Sequence, residues 1–280
     1  MSVLTGRPGP VTRVRAVRVD ADGPHRREEH LATEEPLEIR LAGQPFTVTM
    51  RTPGADVELA LGLLHGEGVL RGPDDVLAAR YCVDPSIGEE QRYNVVTVDL
   101  ALGVFVDWER HSRSGLTTSA CGVCGTSSLD ALHSRGLVPV VPGPVLDPTV
   151  LATLPDRLRE AQRVFDRTGG LHAAGLFTPG GDSLVVREDV GRHNAVDKVV
   201  GWAFGQGRLP LSGLVLVVSG RTSYEIVQKA VSAGVAAVVG VSAPSSLAVA
   251  TAKEFGLTLV GFARGDRCTV YSGEDRLPPQ

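Results

Sequence analysis

The last third of the chain constrains the fold more than any other stretch. Leu214 to Val218, Val235 to Val241 and Leu257 to Phe262 are nearly unbroken apolar runs of strand length, separated by helix-length segments after Thr222 and Ser246. Strands without a polar face need cover on both sides, so this alternation predicts a parallel sheet between helical layers. Ala173 to Phe177 and Ser183 to Arg187 predict a hairpin just upstream. Asn194 is the expected cap of a helix burying Val196, Val199, Val200 and Ala203. Thr222 with Glu225 matches a capping box. The expected class is three-layer α/β.

The first half reads differently. Leu37 to Leu41 and Phe46 to Met50 alternate as a hairpin, with Phe46, Val48 and Met50 on one face. Asp56 is the expected cap of a helix that aligns Val57, Ala60, Leu61 and Leu64 and stops near Gly66. Tyr93 to Leu100 and Val104 to Trp108 predict further strands, whereas the polar, arginine-rich residues Met1 to Thr33 read as a loose tail around one edge strand, Val14 to Val19. From Gly136 the composition turns proline-rich. We therefore expect a β-rich subdomain over 1–143, ending in a short helix near Leu129 to His133, and an α/β domain over 144–280. The second opens with a helix that has Pro155 in its first turn and is ended by Gly169-Gly170.

Between the strands of the first half and that boundary lies Gly115 to Ser128, a run of small residues containing Cys121 and Cys124. Glycine and hydroxyl residues pack no core, so this reads as a mobile loop bearing two thiols, with His111 and Arg113 nearby in sequence. Three readings are open: a sulfur or redox carrier, half of a zinc site, or a spare loop. Zinc lacks a second CxxC, and His65-Gly66-Glu67 with Cys121 and Cys124 matches the zinc deaminase pattern poorly, since alanine precedes Cys121. No resident metal is expected. Cys82 and Cys268 sit in apolar, strand-like surroundings and are expected to be buried and inert.

Parallel sheets bind ligands at the carboxyl ends of their strands. Here those ends are Ser219 to Ser223, Ser242 to Ser246 and Phe262 to Arg267. Ser219, Gly220, Arg221 and Ser223 suit phosphate oxygens, and Arg264, Arg267 and Asp266 offer charge and a carboxylate for guanine-type N–H donors. The cluster from Arg187 to Lys198 reads as a solvated turn, or as a polar rim with His193 as acid or base. No GxGxxG or Walker motif is present. With 28 Lys and Arg against 32 Asp and Glu, the net charge of −4 gives no general attraction to nucleic acid. Four cysteines make no disulfide framework, and no apolar run spans a bilayer, so the expected compartment is the cytoplasm.

Ser119-Ala120-Cys121-Gly122-Val123-Cys124-Gly125 and the long run Arg187 to Lys198 are similar to segments of the FdhD-type formate dehydrogenase accessory sulfurtransferases. Glu34 to Leu37, Met50 to Gly54, Thr168 to Ala174 and Ser219 to Ser223 extend the resemblance, which covers about Glu34 to Tyr271. It implies a carrier that takes persulfide sulfur from a cysteine desulfurase. The sulfur passes to the molybdenum or tungsten bis-guanine-dinucleotide cofactor, bound as substrate, and this activates formate dehydrogenase. Cys121 corresponds to the persulfide cysteine and Cys124 to its companion. The cofactor segment corresponds to Phe262, Ala263, Arg264, Gly265, Asp266 and Arg267. The implied fold is cytidine-deaminase-like and the implied assembly a homodimer. The alternative is a non-catalytic cofactor-binding chaperone with incidental thiols.

Overall fold

The computed structural model describes residues 7–82, 88, 91–108 and 137–279. Cys121, Cys124, their loop and the expected helix near Leu129 lie outside them. At the amino end, β1 (Val11–Asp20), which contains the expected strand Val14 to Val19, pairs antiparallel along its whole length with β2 (Gly23–Ala32), which corrects the expectation of a loose tail around it. The signal for β2 was missing because that strand is largely solvent-exposed and carries charge, not alternating apolar residues. Diagonal pairs such as Arg13–Glu28 at 3.6 Å decorate the hairpin.

A second sheet, of order β4-β3-β6-β5, is built from β3 (Glu35–Leu41), β4 (Gln44–Arg51), β5 (Val76–Tyr81) and β6 (Val95–Leu100). Leu37, Ile39, Leu41, Val96 and Val98 form its covered face. The predicted apolar face of β4 is not buried: Val48 and Met50 are exposed, and Phe46 is half-buried against Trp108. Residues 104–107 form no strand. Helix α1 (Asp56–Gly66) lies on this sheet through Leu59, Ala60 and Leu64. Its N-cap is Ala55, at φ 56°, not Asp56. Asp56 is drawn off by a stronger partner, the fully buried Arg51, which meets its two oxygens at 3.1 and 3.3 Å. Tyr81 also donates to Asp56 at 2.8 Å; burial and then that carboxylate push its pKa up to about 12.

The second half supplies β7 (His172–Phe177), β8 (Ser183–Asp189), β9 (Val215–Val218), β10 (Ala237–Gly240), β11 (Thr258–Arg264) and β12 (Arg267–Ser272). They form one sheet, β12-β11-β10-β9-β7-β8, in which β9, β10 and β11 are parallel as expected. Successive residues of β9 point to opposite layers. Val215 and Val217 meet α2 (Pro148–Glu160) through Leu151, Leu154 and Leu158. Leu216 and Val218 instead face α4 (Arg192–Gly205), α5 (Tyr224–Ser232) and α6 (Ser246–Glu254). Asp147 caps α2 and Pro148 opens it, so Pro155 lies in the helix interior instead of its first turn. A short α3 (Arg163–Thr168) follows, ended by Gly169 at φ 66°.

The two sheets are joined through α1 and α4, which cross at van der Waals distance. A Cβ on Gly62 would lie 1.9 Å from the Asp197 carbonyl oxygen, and one on Gly201 would lie 1.7 Å from that of Glu58. Neither neighbour is a side chain that can swing away, so any larger residue must push the helices apart. Gly62→Ala is expected to cost about 3 kcal/mol or more, at the upper end of overpacking penalties. Urea unfolding of the variant measures this, and an unchanged midpoint would contradict the close crossing.

Candidate functional site

Along the carboxyl edge of the sheet the turn Ser219 to Ser223 follows β9, Val241 to Ser245 follows β10, and β11 runs on beyond its neighbours. Sequence reasoning placed Phe262 to Arg267 beside the first turn. The second turn lies between them: Thr222 bridges to Pro244, and the Phe262 amide donates to the Ser242 carbonyl at 3.4 Å. Phe262 to Arg264 also belong to a strand instead of a loop, with Gly265 at φ 62° and Asp266 turning the chain into β12. The pairing of β11 with β12 is irregular between Gly261 and Arg264. At that break Phe262 adopts φ 49°, a left-handed conformation that costs an aromatic residue energy, and the residue is 52% exposed.

Beneath the ring is an open cleft of about 370 Å³ lined by Val241, Phe262, Arg264, Arg267, Cys268 and Thr269. Ala263 turns the other way into the core, and Asp266 sits exposed at the hairpin tip outside the lining. Arg264 and Arg267 are direct cross-strand partners. Like charges so placed repel. Cys268, expected to be buried, is only half-buried and forms part of the cleft wall, where burial pushes its thiol pKa up. Its strand alternates exposed and half-buried residues because β12 is the sheet's edge. Cys82 is likewise half-buried.

At the β9 end, Ser219 is spent on the sheet: its hydroxyl accepts from the Ala173 amide at 2.8 Å. Gly220 lies against His172, and Arg221 is exposed. The expected capping box is absent. Ser223 takes the cap position of α5, and Glu225 turns to His193, with Oε2 2.7 Å from Nε2. Ser223 Oγ lies 3.2 Å from the same Nε2. A serine–histidine–acid relay needs the hydroxyl and the carboxylate on opposite ring nitrogens, so this grouping is no such triad. The hydrogen bond from His193, ahead of its charge, holds the Glu225 pKa below the usual carboxylate range. His65 is held structurally, with each ring nitrogen 3.0 Å from a main-chain oxygen, of Leu70 and Ser232. Nitrogens so engaged are not open to a metal.

The charged run Arg187 to Lys198 is the largest departure from expectation. It is a buried seam, not a solvated turn: Asp189, Asn194, Asp197 and Lys198 are all buried. Lys198 Nζ lies 2.6 Å from Asp189 and donates to the Thr52 carbonyl at 2.8 Å. Asp189 also accepts from the amides of Thr52 and Gly191 and from Asn194. Asn194 is therefore a buried link, donating to the Met50 carbonyl at 2.7 Å, and Gly191 takes the cap. Arg187 grips Glu58 through two hydrogen bonds, and Lys229 meets Asp197 at 2.7 Å. The seam ties the Met50-Arg51-Thr52 segment to α4. No spacing rule signals it, since its contacts to Met50, Thr52 and Glu58 each span more than a hundred residues. Lys198→Ala strands Asp189 without its cation and is expected to cost about 3–5 kcal/mol, read from denaturant unfolding.

His172, which sequence reasoning did not single out, has its pKa pushed down by burial, then by Arg192 and His193, against a smaller upward pull from Asp189. The folded protein therefore takes up this proton less readily than the unfolded chain. The stabilising contribution is complete above the unfolded imidazole value and is lost as the pH falls through it. Stability should drop between about pH 7 and pH 5, and His172→Gln should flatten that part of the profile.

The profile of the FdhD/NarQ family matches residues 32–278. A Nocardia farcinica protein named sulfur carrier protein FdhD is 53% identical over 266 residues, covering 95% of this chain and 94% of its own. A Streptomyces avermitilis protein of the same name is 53% identical over 267 residues, covering 95% of both. Among solved structures, a crystal structure of a candidate formate dehydrogenase accessory protein from Desulfotalea psychrophila superposes with a TM-score of 0.74. It covers 96% of this chain and 99% of its own at 23% identity, a likeness of fold. Among the described residues, no helix is long and apolar enough to cross a membrane.

Proposed function

Because the chain belongs to the FdhD/NarQ family, we propose that it is a sulfur carrier serving formate dehydrogenase maturation. Cys121 is the carrier in this reading. Its thiolate attacks the terminal sulfur of a persulfide on a cysteine desulfurase; a new S–S bond forms as the donor's breaks and the donor thiolate leaves. The Cys124 thiolate then attacks Cys121 Sγ and expels sulfide with the electron pair. The resulting Cys121–Cys124 disulfide is reopened by a reducing thiol. The acceptor is the molybdenum or tungsten bis-guanine-dinucleotide cofactor, bound as substrate at the sheet edge. A cytidine-deaminase-like fold, a homodimer, a cytoplasmic location and docking to the formate dehydrogenase catalytic subunit complete the reading, each from the family resemblance.

One observation carries the acceptor half: Arg264 faces Arg267 across the hairpin beside the strained, exposed Phe262. Two opposed cations and an upturned ring cost the isolated fold energy. An anion with a planar base offsets both costs, through charge-assisted hydrogen bonds and stacking. Asp266, at the hairpin tip, can accept from guanine N1–H and N2–H, donors that adenine does not present as a pair. GDP is therefore expected to bind in preference to ADP, and Asp266→Ala to weaken GDP by about ten- to a hundredfold. Calorimetry with both nucleotides checks this; equal affinities remove the guanine assignment.

Sulfur loading is tested separately. After incubation with a desulfurase and cysteine, mass spectrometry should find sulfane sulfur on Cys121. Cys121→Ala should abolish dehydrogenase maturation while GDP binding persists. Full maturation by that variant would favour the cofactor-binding chaperone instead.

A further inference from the structure

The edge carries a second basic cluster, away from the Phe262 cleft. Arg192, the first residue of α4, makes no ion pair or hydrogen bond among the described residues, and its Nε is buried without a partner. It stands beside Gly220, where an added Cβ would lie 3.7 Å from Arg192 Cδ and 3.4 Å from His172 Nδ1. His172 is half-buried and sits in the field of both Arg192 and His193. The amino ends of α4 and α5 meet here through His193, Ser223 and Glu225, and neither helix end has a side-chain cap. Thr222, in the same turn, carries its hydroxyl toward Gly240 of β10 and is no part of this cluster. Of the acids beside the cluster among the described residues, Glu225 is already committed to His193, and Asp189, the cross-strand partner of His172, to Lys198.

An arginine nitrogen taken from water and left unpaired is costly. Its position where two helix amino ends meet, and where the backbone is itself positively polarised, identifies the missing group as an anion. We propose that Arg192, His172 and the Gly220 turn form a receptor for a phosphate or pyrophosphate group, two strands along the edge from the Phe262 cleft. The identity of its physiological ligand, the phosphates of a guanine dinucleotide, rests on the function proposed above; the receptor itself rests on the geometry. Gly220 matters because it leaves open the space between imidazole and guanidinium. Its φ is not left-handed and a methyl there meets only ordinary contacts, so alanine fills the space without straining the fold.

The test uses inorganic pyrophosphate as probe, on the full chain, by calorimetry. Wild type should bind it; Arg192→Gln should weaken binding by about ten- to a hundredfold, as expected for a lost charge-assisted contact. Gly220→Ala should weaken it too with an unchanged melting temperature, and Arg192→Lys should recover part of the loss. Failure of wild type to bind pyrophosphate, or wild-type affinity in both Arg192→Gln and Gly220→Ala, overturns the receptor. If Arg192→Gln does not fold, Gly220→Ala decides alone. Parallel loss of GDP affinity in these variants assigns the site to a nucleotide's own phosphates, while GDP binding unchanged beside lost pyrophosphate binding assigns it to a separate anion. GDP and ADP binding equally while pyrophosphate remains Arg192-dependent removes the guanine reading and leaves the receptor standing.

Discussion

Lys198 and Asp189 are almost wholly withdrawn from solvent, at 2% and 0% exposure, and face each other at 2.6 Å. Removing two charges from water costs several kcal/mol per ion, which their attraction offsets only when every remaining valence is also met. Here part of the valences is met from the first half of the chain. The Thr52 carbonyl takes the ammonium, while the Thr52 amide, Gly191 amide and Asn194 share the carboxylate. The pair is thus satisfied only when the Met50-Arg51-Thr52 segment is docked against α4. Because Asp189 ends β8 and Gly191 caps α4, the same contacts fix where Arg192 and His193 emerge relative to β7 and β9. The polar seam sets the geometry of the sheet edge.

The glycine crossing of α1 and α4 works with it. Gly62 and Gly201 let two backbones approach until Cβ atoms would overlap carbonyl oxygens, which places Glu58 within reach of Arg187 and sets Asp197 behind Gly66, next to Lys229. Desolvation pushes the buried Asp197 carboxyl up, and the opposing pull of Lys229 does not cancel it; the Lys229 ammonium is held protonated by Asp197 and Glu67 against its own burial. Such a pair is tolerable in an interior only where packing leaves it no alternative geometry. Close helix contact and buried charge therefore depend on each other.

These dependences explain what was legible in the sequence. The parallel strands could be read because a run such as Val215 to Val218 has no polar face to offer solvent, whatever surrounds it. The β3–β4 hairpin and α1 were legible from period alone. Caps were not: Asp56, Asn194 and Glu225 each have the right residue type and spacing, yet each is taken by a partner distant in sequence or on another element, namely Arg51 together with Tyr81, Asp189 with Met50, and His193. Local sequence states what a carboxylate or amide can do, and tertiary structure decides which partner takes it. Of the β1–β2 hairpin only Val14 to Val19 was legible, for the opposite reason: the hairpin buries too little to impose a period. The sheet edge was legible as a location, but its division into two basic clusters separated by the Val241–Ser245 turn was not.

That division gives the edge its electrostatic character. The chain is acidic overall, and arginine is its ordinary cation, so no single arginine is informative. Placement relative to acids is. Away from the edge, fully buried Arg51 and half-buried Arg187 each meet one carboxylate through two hydrogen bonds. On the edge, Arg264 faces Arg267, and Arg192 stands beside His172, whose pKa is lowered by burial and then by that guanidinium. An acidic chain has carboxylates enough to neutralise three such cations, and pairing them would stabilise the empty protein. Among the described residues these three have no carboxylate partner, which leaves positive potential concentrated at two points along one row of strand ends, with an exposed aromatic ring at one of them. The potential of such a row falls off within about 10 Å at ordinary salt, so only a ligand that lies along the strand ends, with more than one anionic group, senses both points.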